Sequence, residues 1–486
     1  MDVDLLIVGG GINGAGIARD AAGRGLSVML VEKDDLASHT SSASSKLIHG
    51  GLRYLEQLDF KLVRESLAER ARLLRSAPHL VEPLQFVMPL GPGSRPGWML
   101  RAGLLLYDHL GERRTLPGSR RVRLDRQPLG DGVKPGIRRG FTYWDCKVQD
   151  SRLVVLNALD AAERGATVLT RTELAEAHRE GQYWIAKVGQ RAVRARVLVN
   201  AAGPWVAELF ERLAGVQRRR GVRLVKGSHI LVPRLYEGGH AFILQNPDGR
   251  VVFAIPFEKE CTLVGTTEVA CEEPATDPKI GDDETAYLLD VIGRNFIRTI
   301  NRHDIIWSYS GIRALLDDGS TNPSRVTRDY ALELDDGGAP LLSVIGGKLT
   351  TYRRLAERAL DRIARFFPGA SGAWTERAFL PGGVIPHLDL QGYAHGLAEK
   401  FLGLQPELLS RLANAYGTRT DRLLEGVRTI EDLGEHFGGG LHAREVDYLV
   451  ANEWAQTAED ILFRRSKLGL HVDAETTERL TRYLAR

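Results

Sequence analysis

Gly9, Gly11 and Gly14 fall in the spacing G-x-G-x-x-G, at the end of the apolar run Leu5-Leu6-Ile7-Val8 and before an Ala-rich helical pattern. In that spacing the first glycine permits a tight turn, the second lets a pyrophosphate approach the backbone, and the third lets helix and strand pack closely. Ile12 and Asn13 then sit at a helix start whose unpaired N–H groups suit phosphate oxygens. A second apolar run, 26–31, ends at Glu32 and Lys33. Glu32 lies 18 residues beyond Gly14, close to the ~20 at which a carboxylate takes ribose hydroxyls. A polar tract follows, Ser38-His39-Thr40-Ser41-Ser42-Ala43-Ser44-Ser45-Lys46, and then Leu47-Ile48-His49-Gly50-Gly51. Its hydroxyls and amides can face a pyrophosphate and a flat ring, and the glycine pair lets backbone lie against that ring. The plain alternatives are an ordinary βα turn and a polar loop. The glycine motif alone does not separate a flavin from a nicotinamide dinucleotide.

The stretch from Asp4 to Arg70 resembles the N-terminus of the FAD-dependent, membrane-associated glycerol-3-phosphate dehydrogenases. The likeness rests on Gly9-Gly10-Gly11-Ile12-Asn13-Gly14-Ala15-Gly16 and on Ser41-Ser42-Ala43-Ser44-Ser45-Lys46-Leu47-Ile48-His49-Gly50-Gly51-Leu52-Arg53-Tyr54. It continues through Tyr107-Asp108-His109-Leu110-Gly111, Lys226-Gly227-Ser228-His229, Gly265-Thr266-Thr267-Glu268, Tyr309-Ser310-Gly311-Ile312-Arg313 and Gly346-Gly347-Lys348-Leu349-Thr350-Thr351-Tyr352-Arg353, in collinear order over essentially the whole chain. The resemblance implies an α/β, two-dinucleotide-binding (Rossmann-like) flavoprotein of the D-amino-acid oxidase type. It carries an antiparallel-sheet cap domain and a helical C-terminal domain.

The elements that must position these residues can be traced in the chain. After the first strand–helix–strand unit, nucleotide-domain strands return at 166–170, 184–188 and 195–199, the last running into the small residues Ala201, Ala202 and Gly203 before Trp205. A third return at 341–345 leads through Gly346 and Gly347 into a helix with Tyr352, Leu355, Ala359, Ile363 and Phe366/Phe367 on one face. Apolar segments at 228–232, 251–255 and 262–265 suggest the cap sheet over the flavin. We expect an oxidoreductase region over 1–380, with FAD-binding parts at about 1–75, 145–220 and 340–370 and a cap at about 76–144 and 221–339. A helical domain follows over 381–486. Trp98, Met99, Ala102, Leu105, Leu106 and Leu110 share one side of a helix, near Arg95 and Arg101 and ahead of Arg113, Arg114, Arg120, Arg121, Arg123 and Arg126. An apolar face with a basic flank is the pattern of an interfacial helix; a buried helix beside a solvated loop reads the same way.

Flavin-linked oxidation of a secondary alcohol requires a base for the hydroxyl proton. His229 is the expected base: its motif is the family's, and an ordinary imidazole near pKa ~6.5 suits the task. His49 is its rival, expected instead to shape the flavin loop. A phosphate needs a cationic clamp, for which the planar fork of arginine is suited. Arg53, Arg313 and Arg328 each fall in a family motif, with Tyr54 as a further contact; any one of them alone reads equally as a solvated surface residue. Relatives carry proline where this chain has Ala314. Lys348, at the start of the last cofactor-facing helix, is expected to offset charge on reduced flavin or on the substrate. The resemblance adds Ser41, Ser42, Ser44, Lys46, Leu47, His49, Gly50, Gly51, Ala202, Gly203, Trp205, Gly311, Gly347, Leu349 and Thr350 as cofactor contacts.

The composition fits without proving this. A chain of 486 residues exceeds one ordinary domain. Cys146, Cys261 and Cys271 form no C-x-x-C pair, which argues against metal and disulfide sites and for a reducing compartment. Asp2 and Asp4 stand where a signal peptide would be basic, and no apolar run approaches a membrane span. The net charge of +3 is too small to imply nucleic acid. The expected partners are sn-glycerol 3-phosphate, membrane quinone and the cytoplasmic face of a bacterial inner membrane, with a homodimer left open. A soluble oxidase using O2, or a non-catalytic flavin-binding protein, remains as an alternative.

Overall fold

The computed structural model describes residues 1–91, 93–111, 116–126, 128–216, 221–258, 260–317 and 329–486, apart from the side chains of Arg53 and Gln57. The expectations on Arg328, Arg113 and Arg114, and on the Arg53 side chain, lie outside these described residues.

The first strand, Asp2–Val8, is buried on both faces, and its continuous Leu-Leu-Ile-Val run suits the centre of a parallel sheet. It pairs in parallel with Val28–Val31 on one side and Arg191–Asn200 on the other, the latter pairing in turn with Leu341–Ile345. Val28–Val31 completes the expected first unit, and Arg191–Asn200 and Leu341–Ile345 are two of the returns expected from sequence. Thr167–Leu169 closes one edge, Ala331–Asp335 the other, and an antiparallel meander, Leu174–Glu180 and Tyr183–Val188, extends from Arg191–Asn200, making eight strands. The helix Ile12–Gly23 leaves the first strand through a turn that only glycine permits. Gly9 has φ +113°, and a Cβ there would overlap the Ala201 carbonyl; one on Gly14 would overlap the Gly9 carbonyl. The helix Tyr352–Ile363 covers the same face, burying Tyr352, Leu355, Ala359 and Ile363 as its periodicity predicts.

The second sheet has ten strands and is wider than the segments 228–232, 251–255 and 262–265 alone suggested. Val222–Pro233, Cys261–Gly265, Val251–Phe257, Ala241–Gln245 and Trp307–Leu316 form its expected part. Val81–Pro89 joins Ala241–Gln245 in parallel, Arg139–Val148 pairs with Val81–Pro89, and Leu47–Ile48 adds to that edge. The polar tract therefore ends as a strand of the cap sheet, so one continuous chain segment bridges both sheets.

The helix Gly97–Leu110 buries Leu100, Leu104 and Tyr107 and leaves Trp98, Met99, Leu105 and Leu106 on the outside. Beyond residue 390 the chain builds a separate core around Leu409, Tyr416, Phe437, Leu449 and Ile461, mostly helical with one short ladder at His436–Gly438 and Leu441–His442. No helix among the described residues is long and apolar enough to cross a membrane.

Candidate active site

A cavity of about 540 Å³ lies between the two sheets. Its nucleotide end is walled by Gly9, Gly11, Ile12, Asn13, Glu32, Lys33 and Ser41, and by Ala202, Gly203 and Trp205. Its far end is walled by His49, Gly51, Tyr54, Phe253, Thr266, Gly311, Arg313, Gly347, Lys348 and Leu349. Gly14, Ser42, Lys46, Gly50, His229 and Thr350 are not on that wall; each stands one layer behind it.

Glu32 does more than point at a ribose. Its carboxylate accepts the N–H of Gly10 at 2.6 Å and that of Asp34 at 2.9 Å, and burial pushes its pKa up. It therefore braces the glycine turn from the cavity side. Beside it the Lys33 ammonium sits 4.3 Å from the Trp205 ring centre, and His39 packs on the same ring at 4.5 Å. No motif or spacing singles out His39. The polar tract is held mainly through its hydroxyls. Ser41 Oγ accepts from Ile12 N, Thr40 donates to Ile312 O, and Ser44 donates to Asp150.

This end fits a dinucleotide. The helix Ile12–Gly23 has no acidic residue in its first turn to cancel the field at its N-terminus, and Asn13 Oδ1 is buried without a partner at the same place. Gly346 and Gly347 open the opposite wall with φ of +79° and +102°, and a Cβ on Gly347 would crowd Asn13. Asn13 donates to Gly346 O at 3.1 Å, tying the two cofactor-facing turns together.

At the far end, the segment His49–Gly50 is bonded at each backbone polar atom that faces a neighbour. Thr350 Oγ1 accepts from His49 N at 3.2 Å, Lys348 Nζ donates to His49 O at 2.6 Å, and Gly50 N donates to Tyr107 OH at 2.8 Å. Tyr107 donates in turn to Asp145, which also takes Arg70 Nη1 at 2.6 Å. A half-buried lysine and a buried aspartate thus grip one peptide unit from opposite sides. Sequence reasoning named Tyr107 within a motif but missed Asp145, whose only signal is an acid set between Trp144 and Cys146 in a strand. The Lys348 ammonium also lies 5.1 Å from the Tyr54 ring centre, and desolvation pulls its pKa down to about 7. The His49 ring meets Phe253 edge-on at 6.2 Å. Burial, then Lys348 and Arg70, hold its pKa well below the ordinary value. His49 is thus neutral, on the cavity wall, among cations. Across the cavity Arg313 Nη2 reaches Thr266 Oγ1 at 3.3 Å.

The expectation that His229 faces the ring is not met. His229 lies on the same strand face as Val225, which is opposite Arg313, but further along, opposite Tyr309. The Tyr309 ring stacks on it at 4.9 Å, Tyr309 OH donates to Ser44 O, and Ser45 Oγ meets His229 Nε2 at 2.9 Å. The polar tract therefore lies over His229 and separates it from the cavity, leaving it 1% exposed, with its pKa pushed down to about 3 by burial.

Residues 4–353 match the family model described as FAD dependent oxidoreductase, and residues 373–485 match that of the C-terminal domain of alpha-glycerophosphate oxidase. The chain is 54% identical to a glycerol-3-phosphate dehydrogenase of Pseudomonas aeruginosa, covering 99% of this chain and 94% of that one. It is 51% identical to the D-erythritol 1-phosphate dehydrogenase of Brucella abortus, covering 96% and 95%. A solved glycerol-3-phosphate dehydrogenase of Bacillus halodurans, complexed with FAD, superposes with a TM-score of 0.76 at 27% identity, over 100% of this chain and 90% of that one. The protein is an FAD-dependent oxidoreductase, and the chain belongs to the family of FAD-dependent glycerol-3-phosphate dehydrogenases.

Proposed function

We propose that the protein oxidises the secondary alcohol of sn-glycerol 3-phosphate to dihydroxyacetone phosphate and passes the electrons to a membrane quinone. The observation that carries this reading is the far end of the cavity, where Lys348 stands beside the neutral His49 and Tyr54 and Arg313 share the wall. Bound FAD supplies the two-electron acceptor for the hydride leaving the carbinol carbon. Arg313 and Lys348 bind the phosphate dianion from two sides, with Arg53 and Arg328 as further members of the clamp on their motifs. His49 takes the hydroxyl proton: it lines the cavity and is uncharged, so a nitrogen lone pair is free to accept. His229 supports Ser45 from behind and positions the polar tract. Gly9, Gly11, Asn13, Glu32, Lys33 and Ser41 hold the nucleotide half, with Trp205 closing that end.

The Brucella relative's name favours a second reading, in which the substrate is the longer D-erythritol 1-phosphate. Both polyols end in a phosphate, so the clamp serves either. The test is anaerobic bleaching of the flavin with each substrate in turn. Bleaching by neither refutes the polyol-phosphate reading, and a higher kcat/KM for erythritol phosphate selects the second. Turnover with a quinone analogue against peroxide formation in air separates a dehydrogenase from an oxidase. For membrane attachment the support is the outer face of Gly97–Leu110, with Trp98 76% exposed, beside exposed Arg120, Arg121, Arg123 and Arg126. Such a face docks peripherally on an anionic surface, here the cytoplasmic leaflet of a bacterial inner membrane. Co-sedimentation with vesicles containing phosphatidylglycerol, lost in Trp98→Glu, checks it.

A further inference from the structure

The helical unit beyond residue 390 reaches back to the cofactor site through one short segment. Asp460–Arg465 is a π-helical turn, a form that concentrates at functional places. It sends two successive arginines to one carboxylate. Arg465 grips Asp35 with two bonds, at 2.7 and 2.8 Å, and Arg464 Nε adds a third at 2.7 Å. All three side chains are nearly or fully buried. Arg465 is fixed from its own side by the Glu453 carbonyl, and Arg464 by Asp460, which also takes Arg171. Two residues on, Lys467 Nζ reaches Asp150 at 3.3 Å. Asp150 is a fully buried acid that also holds Lys46 Nζ at 2.9 Å and Ser44 Oγ at 2.8 Å. Phe463 packs against Trp307 of the cap sheet at 6.0 Å.

Asp35 and the pair Ser44/Lys46 are the two ends of one stretch, residues 35–46, whose middle (Ser38 to Ser41, then Ala43 to Ser45) walls the cavity. We infer that the helical unit is a clasp on this stretch. Arg464 and Arg465 pin its start through Asp35, and Lys467 pins its end through Asp150, so the unit sets how tightly the cofactor is held. The physical reason is entropic. Such a stretch has no ladder of its own between residues 33 and 46, and ordering it costs conformational entropy. If the cofactor alone ordered it, that cost would come out of the binding energy; a pre-ordered stretch avoids it. Arg464, Arg465 and Lys467 are positioning residues: they act through Asp35 and Asp150.

This inference rests on the reading of residues 35–46 as cofactor wall, which FAD binding by the unaltered full-length protein checks separately. Asp35→Asn would strand a buried guanidinium and can simply unfold the chain, so the decisive variant is Lys467→Ala, at the partly exposed end of the clasp. Its FAD dissociation constant, measured by reconstituting the full-length apoprotein, should rise about tenfold. Amide hydrogen exchange over residues 38–46 should speed up, the melting temperature of the apoprotein should stay within a degree or so, and Lys467→Arg should restore affinity. An unchanged dissociation constant overturns the inference. So does a lowered melting temperature with wild-type FAD affinity, since that marks an ordinary packing contact. Unchanged exchange over residues 38–46 overturns it as well.

Discussion

Replacing Lys348 by methionine should make the apoprotein more stable while crippling the enzyme. The ammonium is half-buried on the cavity wall, and desolvation takes its pKa from the ordinary 10.5 to about 7, with Asp145 pulling the other way. At about 1.4 kcal/mol per unit, a fully desolvated charge would cost on the order of 5 kcal/mol; contact with cavity water reduces this to about 2–4 kcal/mol. The unfolded chain keeps the proton up to pH 10.5, the folded chain only to about 7. Below pH 7 the penalty is present in full. Between 7 and 10.5 the unfolded state binds more protons, so wild-type stability rises with pH; above 10.5 the penalty is gone. Methionine keeps the stem's packing and removes the charge, losing the ammonium's place over the Tyr54 ring and the bond to His49 O, which Thr350 still contacts at 3.4 Å. Thermal unfolding of the two apoproteins at pH 6.5, 8 and 10 should therefore show the variant ahead by a few degrees at pH 6.5 and level by pH 10. In the holoenzyme the same variant should raise the KM for the phosphate and slow flavin reduction. A variant that melts below wild type at pH 6.5, or leads it equally at pH 6.5 and pH 10, would refute the account of Lys348 as a charge held against its solvation.

Arg313→Ala should raise the KM for the phosphorylated polyol about ten- to hundredfold, since a charge-assisted bond is worth roughly 1.5–3 kcal/mol. The poor turnover of unphosphorylated glycerol should barely change, and Arg313→Lys should recover only part of the loss; equal damage with both substrates would assign Arg313 to the fold. His49→Gln should keep FAD but slow stopped-flow flavin reduction by ~10²–10⁴, whereas His229→Ala should weaken FAD binding through Ser45 more than it slows reduction. The reverse pattern would return the base to His229. Tyr107→Phe leaves Gly50 N with only Asp145 Oδ1, at 3.4 Å, and should lower the melting temperature and weaken sulfite addition to the flavin; unchanged sulfite affinity would show that the buried aspartate has no hold on the cofactor's surroundings.

What the sequence discloses is what short spacing controls. The Gly9–Gly11–Gly14 turn, the two flanking strands, the Tyr352 helix face and the outer face of Gly97–Leu110 are each decided within a dozen or so residues, and each stands in the structure where periodicity and turn chemistry put it. Glu32 is nearly as local. The cap sheet was only half legible, because Val81–Pro89 and Arg139–Val148 enter it by pairings that no local pattern announces. His229 shows the limit most clearly. Strand alternation places it on the correct face, but whether that face is open depends on Ser44 and Ser45, some 184 residues earlier in the chain. The clasp of Arg465 on Asp35 spans 430 residues and had no sequence signal beyond two adjacent arginines. Side-chain type and period fix direction; depth is fixed by whatever the rest of the chain lays on top.

Depth also explains how one set of cations can serve two tasks at the far end of the cavity. A base must be uncharged to take a proton, and a phosphate dianion must meet positive charge. Burial first, then Lys348 and Arg70, hold down the His49 pKa, and Lys348 also faces the space where the phosphate is proposed to bind. Before the substrate arrives, burial and the field of these cations keep His49 free of a proton. Once the dianion is seated, its two negative charges offset that field and raise the His49 pKa. The imidazole then becomes a stronger proton acceptor at the moment a hydroxyl is beside it. The return of the proton to water after product leaves follows from the same balance, because loss of the dianion restores the cationic field. On this reading the phosphate is more than a handle: it switches on the base. That makes the rigid His49–Gly50 peptide, bonded to Lys348 on one side and to Tyr107 and Asp145 on the other, the element that keeps base and cation at a fixed separation.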